Sequence, residues 1–118
     1  IADRVEKGAA IQTAIFGEHM QDAWRKGGVN YLLAANCFGD YYTRTGLTLA
    51  QRELITFCFL AAQGGCELQL VAHATGNMHL GNDKNLLMAV ILQCLPYIGY
   101  PKSLNAINCL NQAAEENA

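Results

Sequence analysis

Six side chains in the middle of the chain could do chemistry together: Arg52, Glu53, Cys66, His73, Gln93 and Tyr97. Histidine is the natural acid-base group, because its ordinary pKa lies near working pH. Cys66 lies seven residues before His73, about two helical turns, so Cys66, Leu70, His73 and Asn77 would share one helix face. A cysteine at a helix start with a histidine nearby is a candidate thiolate. Arg52 could grip a carboxylate through its planar fork. Glu53, if buried beside His73, would orient the imidazole; the alternative is a helix-start carboxylate favoured by the dipole. Arg52 and Glu53 point about 100° apart on a helix, so they cannot act as two prongs on one atom. His79, six residues beyond His73, is about 120° away around the helix and cannot join it on a metal face. No metal is expected, and His79 reads as a surface residue.

These residues need helices to position them. Thr48 and Gln51 form a Thr-x-x-Gln capping box that starts an apolar helix ending at Gly64-Gly65. A helix from Cys66 to Leu80 follows, with Gly81 as its stop and Asn82 or Asp83 as the cap of the next. That next helix, to about Ile98, places Leu86, Val90, Gln93 and Tyr97 on one stripe, where Gln93 and Tyr97 would line a pocket or tie helices together. Pro96 should kink or end it, and a last helix runs from Lys102 to about Ala114. Upstream, the spacing predicts a helix over 2–16 with Gln12 as the one polar residue in its stripe. A short helix is expected over Glu18–Lys26, carrying Met20 and Trp24, and a mostly apolar one over Val29–Tyr42. No period-2 run calls for a strand. The expectation is one all-α domain over 1–118, a bundle of six to seven helices.

Composition narrows the partners. Hydrophobic residues make up 52% and charged ones 15%, an apolar surplus most simply buried against further copies of the chain. With a net charge of -2 and no basic stripe, neither nucleic acid nor an anionic membrane surface is expected. The longest apolar run, Leu86–Leu95, is about half a bilayer span. The first residues, IADRVEKGAA, have no apolar core of a signal peptide, and the absence of an initiator Met suggests residues upstream. Five scattered cysteines speak against a secreted disulfide framework and for a reducing, cytoplasmic compartment.

The ordered pieces REL, LAAQGG, QLVAH, GNMHLG, LQ, YIGYP and LNA, from Arg52 to Ala106, resemble the carboxymuconolactone decarboxylase family. Phe38-Gly39-Asp40 and Arg44-Thr45-Gly46-Leu47 extend the likeness upstream. The resemblance implies an alkylhydroperoxidase D-like all-α fold, assembled as trimers or hexamers, with a pocket near His73. It also implies one of two chemistries. One is cofactor-free decarboxylation of a small carboxylated lactone; read onto these residues, His73 would donate the proton, Arg52 would grip an anionic group, Glu53 or Gln93 would orient the imidazole, and Tyr97 would line the pocket. The other is thiol-dependent peroxide reduction through a Cys-x-x-Cys-x-x-x-His motif. Cys66 fits that motif, but Gln69 stands where the resolving cysteine would be. The chain also departs from the family at Asn85, Leu86 and Ala89, where acidic residues are usual. A non-catalytic helical oligomer that binds a small ligand is the remaining reading.

Overall fold

In the computed structural model, which describes residues 3–118, the first helix, α1 (Arg4–Phe16), owes its packing to two glycines. A Cβ on Gly8 would lie 1.7 Å from the carbonyl oxygen of Ala34, and one on Gly39 would lie 2.3 Å from that of Arg4. Only bare backbone allows this approach. The ion pair between Arg4 and Asp40 closes the same contact, with Nε donating to Oδ1 at 3.1 Å.

The segment facing α1 differs from the expected single α-helix. It opens as α2 (Val29–Leu32) and widens into a π-helix, Leu33–Tyr41, whose register is visible in the Tyr42 amide donating to the Cys37 carbonyl. Ala34, Phe38 and Tyr42 are all buried, as are Ala35 and Gly39. The wider π turn rotates less per residue than an α-helix, so the face each of these residues takes differs from the one that a step of about 100° predicts. Phe38 packs edge-on against Phe16, with ring centres 5.9 Å apart.

The short helix expected over Glu18–Lys26 is instead two 3-10 segments, Glu18–Met20 and Ala23–Lys26. Neither buries a residue, so neither has the tertiary packing that sustains so short an α-helix.

From Ala50 onward the chain forms a second compact unit, the first running up to Leu49. Its helices are α3 (Leu49–Gln63), α4 (Glu67–His79) and α5 (Lys84–Glu116). Phe57 and Ala61 of α3, Leu70 and Ala74 of α4, and Leu87, Ile91, Ala106 and Leu110 of α5 share one core. The break in α5 falls at Gly99, with φ 83° and ψ 173°, just after the expected helix end at about Ile98, while Pro96 three residues earlier stays inside the helix. Glycine takes this conformation freely. The α5 stripe also differs from the sequence expectation. Leu87 and Ile91 face the core, while Leu86, Gln93 and Tyr97 are exposed, one position out of phase with the predicted face. No strand occurs among the described residues, and the fold is all-α. No helix among them is long and apolar enough to cross a membrane.

Candidate active site

Glu53 lies one turn into α3 and points into the core of the second unit, with no exposed surface at all. A buried carboxylate is costly without a partner. Its partner is His73, in the middle of α4, whose Nδ1 meets Glu53 Oε2 in a hydrogen-bonded ion-pair contact. The His73 side chain keeps 15% of its surface exposed. With a carboxylate opposite, Nδ1 carries the proton, so any acid-base exchange by this ring runs through Nε2. The tautomer is assigned from this partner.

The two backbones behind the pair are joined by asparagines. Asn77 is wholly buried; its Nδ2 donates to the Glu53 carbonyl at 3.1 Å and to the His73 carbonyl at 2.8 Å. Asn82 Nδ2 donates to Asn77 Oδ1 at 2.9 Å and to the Ala50 carbonyl at 3.0 Å. From its spacing alone, Asn77 has only a place on the His73 face, and Asn82 or Asp83 is the expected cap of the next helix. Asp83 takes the cap, accepting from the Leu86 amide at 2.9 Å. The missed signal was an amide side chain four residues past His73 on a face otherwise filled by Leu70 and Ala74.

Cys66 stands just before α4, partly buried, with its thiol donating to the Leu60 carbonyl at 3.3 Å. Burial, and then the neighbouring Glu67 carboxylate, push the thiol above its ordinary pKa. This is the opposite of the lowering that a helix start and a histidine would give, because desolvation and a carboxylate both disfavour the thiolate. Arg52 is partly buried, one residue and so about 100° around α3 from Glu53. Gln93 and Tyr97 are exposed, Tyr97 at 87%, and within this chain neither shares the buried face of the Glu53 and His73 pair. His79 is exposed. A groove of about 640 Å³ runs beside α1, lined by Glu6, Thr13, Asp22 and Trp24 among others, and contains none of the predicted site residues.

The site therefore consists of one oriented imidazole on a buried carboxylate, tied from behind by two amides. No curated protein matches the sequence. The sequence pattern of the carboxymuconolactone decarboxylase family matches residues 28–112, well over half of the chain and all of the segment that carries Glu53, His73, Asn77 and Asn82. With that match and an all-α fold, the chain belongs to the carboxymuconolactone decarboxylase family.

Proposed function

We propose that this protein is an acid-base enzyme of the carboxymuconolactone decarboxylase type, acting through His73 on a small carboxylated, lactone-type substrate. The observation that carries the reading is the His73 imidazole held at Nδ1 by the fully buried Glu53 carboxylate. In decarboxylation the bond to the carboxylate carbon breaks, carbon dioxide leaves, and the electron pair stays on the substrate carbon until a proton arrives. Protonated His73 supplies that proton from Nε2, and Glu53 compensates the charge of the imidazolium. Arg52 holds an anionic group of the substrate. The scheme calls on no metal or organic cofactor.

Gln93 and Tyr97 enter this scheme only if a second copy of the chain covers them. Phe59, Leu92, Tyr97 and Tyr100, each more than half exposed, support a homo-oligomer, a trimer or hexamer, as the working form. Five free cysteines suit a reducing, cytoplasmic compartment. The thiol-peroxidase alternative is weaker, since Cys66 is held as a protonated donor and Gln69 cannot resolve it.

The test is carbon dioxide release from carboxylated lactones by wild type and by His73→Ala. A drop of about 10²- to 10⁴-fold is expected for loss of a general acid. Unchanged turnover of an identified substrate by His73→Ala would end the assignment.

A further inference from the structure

A wholly buried side-chain amide costs free energy unless its two donors and its acceptor are all used. Asn77 meets that condition: its two donor bonds go to the carbonyls of Glu53 and His73, and Oδ1 accepts from Asn82. The carbonyls it binds belong to the two residues whose side chains form the hydrogen-bonded pair. This is not backbone repair, because both carbonyls lie inside helices and already accept the amides four residues on.

Asn82 is placed by the end of α4. Gly81, at φ 96°, turns the chain back so that the Gly81 amide reaches the Met78 carbonyl at 3.1 Å and the Asn82 amide the Asn77 carbonyl at 2.9 Å. This is a Schellman stop. It brings Asn82 under the last turn, where its side chain takes Asn77 Oδ1 and the Ala50 carbonyl of α3 together. Asn77 is thus held at both of its oxygens, and α3 is held at two carbonyls one turn apart.

We infer that Asn77 and Asn82 are positioning residues for the Glu53 and His73 pair, fixing the two backbones from which those side chains depart. The inference rests on the acid-base reading for its catalytic meaning and on the geometry alone for its structural content. Residue type matters here. Leu keeps the branching of Asn77 in a larger side chain without any donor, and Asp matches its shape while turning an oxygen on two carbonyl oxygens. Catalytic geometry degrades with displacements of an ångström or less, so a bracket on the backbone acts on rate without touching substrate.

The experiment uses the full chain labelled with nitrogen-15 and reads the imidazole Nδ1–H of His73, with helix content followed by circular dichroism. Glu53→Gln gives the reference for a pair without its carboxylate. Asn82→Ala is the main variant, since it leaves the Glu53, His73 and Asn77 side chains in place; Asn77→Asp is the second. Exchange of the His73 Nδ1 proton with water is expected to rise about tenfold in folded Asn82→Ala, the equivalent of one hydrogen bond weakened. A larger rise is expected in Asn77→Asp. A wild-type resonance and exchange rate in folded Asn82→Ala overturn the inference, whether or not Asn77→Asp folds. If the resonance moves as expected while His73→Ala keeps full turnover, the positioning holds and the acid-base reading falls.

Discussion

Two buried amides, one in each compact unit, solve the same problem in opposite ways. Gln12 of α1 is 1% exposed, and its Oε1 finds no hydrogen-bond partner among the described residues. Asn77 of α4 is equally buried, yet both of its donor bonds and its acceptor are engaged. The N-terminal unit is held by close backbone approach at Gly8 and Gly39, where shape does the work and a polar atom is left over. The second unit is held around its polar pair by directed bonds.

The largest effect that would break this contrast belongs to Gly8. Gly8→Ala forces a methyl group into the Ala34 carbonyl, and a loss of about 3 kcal/mol or more is expected by urea unfolding. A loss under about 1 kcal/mol would show that the N-terminal packing yields. Next come the amides themselves. Asn77→Leu should cost about 2–3 kcal/mol, whereas Gln12→Leu, which removes an unpaired oxygen, should be neutral or stabilising within about 1 kcal/mol. Equal costs at the two positions would erase the distinction.

The smallest effect sits at Cys58 in the second unit. Burial, and then the neighbouring Cys94, push its thiol from an ordinary 9.0 up to about 11. The folded state therefore keeps the proton that the unfolded state gives up. Stability from this group is full below pH 9 and lost progressively as pH rises towards 11. Cys58→Ala should flatten that alkaline limb in a pH series of unfolding curves, and an unchanged limb would remove Cys58 as its cause.

The parts of the fold legible in the sequence are those with local punctuation. The spacing predicts α4 over Cys66–Leu80, and the helix runs Glu67–His79, because Gly64-Gly65 and Gly81 bound it. The π-helix was illegible because an apolar run carries no mark of its hydrogen-bond register. The Glu53 and His73 contact was foreseeable as a conditional, since residues 20 apart across a Gly-Gly turn can meet on facing helices. The asparagine bracket depends on the direction of a turn, and sequence gives only its residues. Gln93 and Tyr97 are exposed in the single chain because apolar residues line more than one face of α5, and only tertiary packing chooses between them.

A second ambiguity on α5 lies at Gly99. Counted at about 100° per residue, Leu87 and Ile91 before the break, and Ala106, Leu110 and Ala113 after it, would face directions roughly a quarter turn apart on one straight helix. They nevertheless bury into a single core. Gly99 thus works as a phase reset: the stretch beyond it inherits neither rotation nor axis from the stretch before it. Along this part of the chain, the angular bookkeeping that ties a helical residue to its face starts again from zero.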